Sequence, residues 1–215
     1  MIKACIFDLD GVITDTAHYH FLSWSSIAAE LGYELTEHKN EELKGVNRLA
    51  SLEKILQWAK VNRSEVEKDD LLKRKNDQYK RAIEQLTVND ILPGVMSFIA
   101  DLQHNDVRIA IGSSSKNAPT ILNKLGLAGT FEIVSDGNTV TKTKPDPEVF
   151  LYASSALKIL PENCVVIEDA QSGIEAAIAA GMKVVGIGDS NDLAKANICL
   201  PSLEGLTFAK LENLL

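Results

Sequence analysis

Two aspartates close the first apolar run of the chain, in the stretch Asp8-Leu9-Asp10-Gly11-Val12. Carboxylates two residues apart on extended chain point to the same side. At the carboxyl end of a parallel strand they would lie where open α/β sheets hold their ligands. A second acidic pair, Glu168-Asp169, follows another apolar run, Cys164 to Ile167. If the strand ends converge, Asp8, Asp10, Glu168 and Asp169 form one cluster, and four carboxylates need a counter-charge such as a hard divalent cation with oxygen ligands. Magnesium fits best, because it takes one or two carboxylates and keeps its other positions for waters and phosphate oxygens. A lone D-x-D is as compatible with a solvated strand end and a turn at Gly11; the remaining motifs tip the balance.

Gly112-Ser113-Ser114-Ser115-Lys116-Asn117 follows a further apolar run. Three hydroxyls, a lysine and an amide at a strand-to-helix junction supply donors for a phosphate, and the helix N-terminus would add positive potential. An ordinary serine N-cap would need only one of these groups. Lys144-Pro145, ahead of a helix start, places a cation on the same face of the sheet, although a single lysine there is commonly a surface residue.

The elements that must position these groups show in the hydrophobic pattern. Apolar, β-rich runs occupy Lys3 to Leu9, Val107 to Ile111, Phe131 to Val134, Cys164 to Ile167 and Lys183 to Ile187. From Val107 onward they alternate with helix-like segments, the βαβ pattern of a parallel sheet covered on both faces. Asp146-Pro147 reads as an N-cap with proline at the first helical position, ahead of Glu148 to Leu157. Gly173 to Ala180 is small and apolar and stops at Gly181, so that helix must pack close to the sheet.

Between the first two runs lies a long stretch of helical period with no convincing strand. Ala17 to Leu31 ends at Gly32; Arg48 to Ala59 is apolar at Leu49, Leu52, Ile55, Leu56 and Ala59; Ser64 with Glu67 makes a capping box for a charged helix to Leu86. This predicts an inserted helical domain over residues 15–92, with 1–14 and 93–215 as the core. Thr14 to Thr16 and Thr87 to Pro93 form the two crossings, a hinge geometry. By residue type alone, His20 and Trp24 on the first helix read as packing residues. Arg48 near a helix N-terminus is poorly placed for a cation, so beside Lys44-Gly45 it leans towards anion binding.

Composition bounds the rest. With 22 Lys+Arg against 30 Asp+Glu the net charge is 22 − 30 = −8 over 215 residues, which argues against nucleic acid or an anionic membrane as partner but allows a small anionic substrate. Hydrophobic residues make up 45% of the chain, enough for a real core. Cys5, Cys164 and Cys199 show no C-x-x-C spacing and read as reduced core thiols. The N-terminal run is broken by Asp8 and Asp10 and no apolar stretch is long enough to cross a bilayer, so a cytoplasmic protein is expected.

Taken in order, D-x-D-G-V, the serine-rich turn, Lys-Pro-x-P and Glu-Asp resemble the haloacid dehalogenase superfamily of phosphotransferases. Thr14-Asp15-Thr16, His20, Trp24, Lys44-Gly45-Val46-Asn47-Arg48, Lys75-Asn76 and Ser113 to Asn117 extend the resemblance to its sugar-phosphate mutases over almost the whole chain. The resemblance implies a doubly wound, Rossmann-like parallel sheet with an α-helical cap. It also implies a magnesium-dependent monomer interconverting β-D-glucose 1-phosphate and D-glucose 6-phosphate. The route would be an aspartyl-phosphate enzyme, with β-D-glucose 1,6-bisphosphate as activator and intermediate.

Carried over residue by residue, Asp8 is the nucleophile and Asp10 the general acid and base. Magnesium is held by Asp8, the Asp10 carbonyl and Asp169, with Glu168 behind them or acting through water. Ser113 and Lys144 hold the transferring phosphoryl group. Arg48, Ser115, Lys116 and Asn117 grip the other phosphate, while Thr16, His20, Trp24, Lys44, Gly45, Val46, Ser51, Lys75 and Asn76 complete the cap and hinge contacts. Asn47 and Leu49 depart from the family pattern, where serine and a carboxylate are common. An unperturbed Asp is protonated about once in a thousand at neutral pH, a cost of about 4 kcal/mol for an acid; a metal on the Asp10 carboxylate would worsen it, hence the carbonyl as ligand. Two other readings are a sugar-phosphate phosphatase, with water as acceptor, and a non-catalytic phosphosugar-binding regulator, which would not need a nucleophile.

Overall fold

A computed structural model describes residues 1–215. Its strands are β1 (Ala4–Phe7), β2 (Arg108–Gly112), β3 (Ile133–Ser135), β4 (Cys164–Glu168), β5 (Lys183–Ile187) and β6 (Ile198–Leu200). They form one parallel sheet in the order β3-β2-β1-β4-β5-β6. All four residues of β1 are buried. Ala4 and Ile6 enter one apolar cluster and Cys5 and Phe7 another, which is why the run reads as continuously apolar rather than alternating.

Four helices lie between β1 and β2: α1 (Ala17–Glu30), α2 (Glu37–Glu41), α3 (Arg48–Ala59) and α4 (Glu65–Ile83). They are called the cap below. Trp24, Ile27, Leu52, Ile55 and Leu71 give them a core of their own. Tyr79, Ile83 and Leu86 instead join the cluster under the sheet, so the far end of α4 is rooted in the core. The two crossings pair with each other at Thr14 and Ile91, and the Leu92 N–H donates to the Ile13 carbonyl at 2.9 Å.

Helices α5 (Val95–His104), α6 (Ala118–Lys124) and α9 (Phe208–Leu214) cover the Phe7 face of the sheet, and α7 (Glu148–Leu157) and α8 (Gln171–Ala179) the other. Gly173 of α8 packs so near the sheet that a Cβ there would lie 2.0 Å from Glu168 Oε2. No helix is long and apolar enough to cross a membrane.

Three details differ from the sequence expectations. β6, a three-residue edge strand, goes unannounced, and Cys199 on it is only half-buried, whereas Cys5 and Cys164 are buried; all three are free thiols. The capping box at Ser64 is formed, but α4 stops at Ile83 and Leu86 packs as a non-helical anchor. Asp146 Oδ1 accepts from the Glu148 N–H at 3.0 Å, so α7 starts after Pro147 rather than with it.

Candidate active site

β1 lies between β2 and β4, with Phe7 opposite both Ile111 and Ile167. The carboxyl ends of the three strands therefore bring Asp8, Ser113 and Glu168-Asp169 to one rim, at the point where the strand order reverses. The Asp8 N–H donates to the Ile167 carbonyl at 2.9 Å, fixing the first carboxylate to the sheet.

Lys144 is buried beneath this rim. Its ammonium donates to Asp8 Oδ1 and, at 2.8 Å, to Glu168 Oε2. Burial alone would depress the amine, but the two carboxylates outweigh it and hold Lys144 above the ordinary lysine range. Glu168 is pushed up to about 7 by its burial, with Lys144 pulling it down and Asp8 pushing it further up.

One carboxylate oxygen each from Asp8, Glu168 and Asp169 lie within 4.8 Å of one another. The donors are all hard oxygens, and Asp169 is held well above the usual carboxylate range by burial and by the charges of Glu168 and Asp8. Gly11, at φ +81°, leaves the space that Asp169 fills: a Cβ there would come within 2.1 Å of Asp169 Oδ2. An under-neutralised oxygen cradle of this kind fits a magnesium ion.

Asp10 stands apart from that group. The Thr16 hydroxyl donates to its Oδ1, the Tyr79 hydroxyl does so at 3.5 Å, and His20 Nε2 lies 4.0 Å away. Burial first, and the charge of Asp8 second, push its carboxyl up to about 6. At neutral pH the acid form is then about a tenth of the population instead of about a thousandth.

The cap supplies cations. Lys75 is buried, with its Nζ 2.7 Å from His20 Nδ1 and over the rings of Trp24 (4.9 Å) and Tyr79 (4.7 Å). Burial, then the charge of Arg48, lower it to about 7. A charged Lys75 offers only donors, so His20 accepts at Nδ1 and carries its own proton on Nε2, facing Asp10. Burial also lowers His20 well below the usual imidazole range, with Lys75 and Arg48 adding to it, so the ring stays neutral. Arg48 opens α3, where Asn47 Oδ1 accepts from the Ala50 N–H at 2.7 Å. Asn47 thus serves as an N-cap as well as a serine would.

A cavity of about 710 Å³ joins the two sets: Asp8, Asp10 and Asp169 line it from the core, Arg48 and Lys75 from the cap. His20, Trp24, Lys44, Gly45, Val46, Ser51, Asn76, Ser115, Lys116 and Asn117 also line it. Thr16, Ser113, Lys144 and Glu168 do not. Thr16 is buried against Asp10, and Ser113 Oγ is taken up by the Ser115 N–H at 3.1 Å. Helix α6, after the serine turn, has only seven residues, so its dipole is a small contributor. Across the seam, Asn117 Nδ2 donates to Asn76 Oδ1 at 3.3 Å.

The wall formed by Asn138, Val140, Thr141 and Thr143, together with Asn40, went unread. Asp136 organises that loop by accepting from the Asn138 N–H and side-chain amide at 2.8 and 2.9 Å. The turn-forming triplet Asp136-Gly137-Asn138 was the available signal.

The family described as haloacid dehalogenase-like hydrolase matches residues 5–187. The β-phosphoglucomutase of Bacillus subtilis is 42% identical over 209 residues, covering 96% of this chain and 92% of its own. A phosphorylated carbohydrates phosphatase of Thermotoga maritima is 29% identical over 91% of this chain and 89% of its own. The crystal structure of β-phosphoglucomutase from Clostridium difficile superposes with a TM-score of 0.95 at 41% identity, over 100% of this chain and 97% of that one.

Proposed function

The chain belongs to the haloacid dehalogenase-like hydrolase family, and from that premise we propose that it interconverts β-D-glucose 1-phosphate and D-glucose 6-phosphate, as a magnesium-dependent phosphomutase. One observation carries the reading within the family. A single cavity has carboxylates at its core end and two cations without a carboxylate partner, the buried Lys75 and the half-buried Arg48, at its cap end, which suits a sugar carrying phosphate at both ends.

In this reading the bisphosphate activator first phosphorylates Asp8, and the Asp10 carboxylate then takes a proton from the free hydroxyl of the sugar monophosphate as that oxygen attacks the aspartyl phosphate and the bond from phosphorus to Asp8 breaks. The intermediate between the two transfers is β-D-glucose 1,6-bisphosphate. Asp8 then attacks the other phosphorus of the bisphosphate, the bond from phosphorus to the sugar oxygen breaks, and Asp10 gives that oxygen its proton, which restores the aspartyl phosphate. The raised position of Asp10 supports this double duty, since an acid near 6 holds and releases its proton at modest cost. Thr16 and Tyr79 hold Asp10 in place, and Lys144 with Ser113 offers donors to the phosphoryl group in flight. Magnesium, held by Asp8, Asp169 and the Asp10 carbonyl, would neutralise charge on the transferring phosphoryl group, with Glu168 behind it.

The test is a product assay on the full chain with magnesium, β-D-glucose 1-phosphate and a trace of glucose 1,6-bisphosphate. Glucose 6-phosphate in large excess over free phosphate is the expected result. Free glucose and phosphate would make the chain a phosphatase, and no product would leave the binding-regulator reading.

A further inference from the structure

The cap touches the core through a small loop anchored by Ser172, which takes no part in the chemistry above, and by Ser114, whose hydroxyl is turned to the loop rather than free for the phosphate that the sequence offered it. The Ser114 hydroxyl donates to the Gly45 carbonyl at 2.7 Å, and the Ser172 hydroxyl, from the first turn of α8, donates to the Lys44 carbonyl at 2.9 Å. Both acceptors belong to the cap and both donors to the core. Between them Gly45 runs so close to α8 that a Cβ there would lie 2.3 Å from Ser172 Oγ and 3.6 Å from the Lys144 side chain. The same two residues bring Lys44 Nζ to 3.7 Å from Asp169 Oδ2, while Glu41 holds it from the cap at 2.9 Å. The side chain of Lys144 below has no exposure to solvent.

We propose that Ser114 and Ser172 are positioning residues that latch the Lys44-Gly45 loop onto the core, holding Lys44 beside Asp169 and sealing the Asp8-Lys144-Glu168 group from water. Two hydroxyls gripping consecutive carbonyls fix the loop in position and in orientation, which one contact would not. The catalytic consequence rests on the phosphomutase reading: a latched loop keeps water from the aspartyl phosphate while the sugar intermediate turns over. The latch itself is independent of which sugar is bound.

The test is hydrogen–deuterium exchange on the full chain with magnesium and β-D-glucose 1-phosphate, comparing wild type, Ser172→Ala and the Ser114→Ala/Ser172→Ala double variant. A neutral hydrogen bond of this kind shifts an open–closed equilibrium by roughly two- to tenfold. Exchange at residues 42–47 should therefore speed up by that factor in Ser172→Ala and further in the double variant, with β4 and β5 unchanged. On the same variants, the share of free phosphate among the products should rise, while phosphorylation of Asp8 by acetyl phosphate in Ser172→Ala stays within twofold. Unchanged exchange at 42–47 in the double variant would overturn the latch, and so would faster exchange across the whole chain, which marks a fold defect. If wild type turns over no sugar phosphate, the phosphomutase reading fails while the exchange result still decides the latch.

Discussion

Lys144 of the core and Lys75 of the cap are equally buried, at 1% exposure each, yet they sit in opposite electrostatic settings. Lys144 is clamped between Asp8 and Glu168 and is held above its ordinary range. Lys75 rests on two aromatic rings and an imidazole nitrogen, beside a second desolvated cation, Arg48, and falls to about 7. A buried cation without a carboxylate partner is costly, and the cost is offset when an anion arrives. The core lysine is thus already matched, for chemistry at fixed positions beside a carboxylate cradle fit for magnesium, while the cap's cations wait for an anionic ligand.

The variant Asp8→Asn breaks the core half most severely. An amide does not attack phosphorus, so turnover should fall by more than about ten-thousandfold, with the far-ultraviolet circular dichroism spectrum unchanged; activity within tenfold of wild type rules out the aspartyl phosphate. Asp10→Ala comes next, at roughly a hundred- to ten-thousandfold in turnover. Magnesium binding followed by calorimetry should survive, because the ligand assigned to this residue is its carbonyl. Loss of magnesium binding in a folded variant would show that Asp8 and Asp10 do not divide the work in this way.

Lys75 sharpens the cap half through pH. Its amine titrates near 7 in the free protein, and a bound phosphate raises that value by favouring the ammonium. Binding of a sugar phosphate should therefore be strongest below pH 7 and weaken as pH rises through 7 towards the bound-state value, by up to about tenfold per unit. Lys75→Arg, always charged, should flatten this dependence between pH 7 and 9 in a titration of affinity. An unchanged slope would assign the pH dependence to another group.

The same contrast explains what the sequence made legible. Asp8 and Glu168-Asp169 stand at strand ends, where a short motif and the parallel-sheet rule together give position, so that carboxylate cluster is readable from the residue pattern; Lys144 lies in the turn ahead of α7, and only tertiary packing shows that it is buried against them. β6 is not, because three half-buried residues carry no period. On the cap, Lys75 lies in the strongly charged α4, where a lysine reads as a solvated face until tertiary packing covers it. Its place in the site came from the family resemblance rather than from pattern. Tyr79 at Asp10 depends on a contact between residues far apart in sequence, which no local pattern encodes, whereas the wall from Asn138 to Thr143 was signalled only by the turn residues Asp136-Gly137-Asn138.

The division of labour between the matched core lysine and the waiting cap cations is tested most directly by two rates on one variant, Arg48→Ala. Its planar guanidinium suits a phosphate and touches no reacting atom in this account. Mutase turnover should fall roughly ten- to a thousandfold, about 1.4 to 4 kcal/mol of lost transition-state stabilisation. Phosphoryl transfer from acetyl phosphate to Asp8, which brings no distal phosphate, should stay within a few-fold of wild type. Equal losses in the two rates would contradict the account, since Arg48 would then support the core chemistry or the fold as a whole, and no loss in either would leave the cap without its anion.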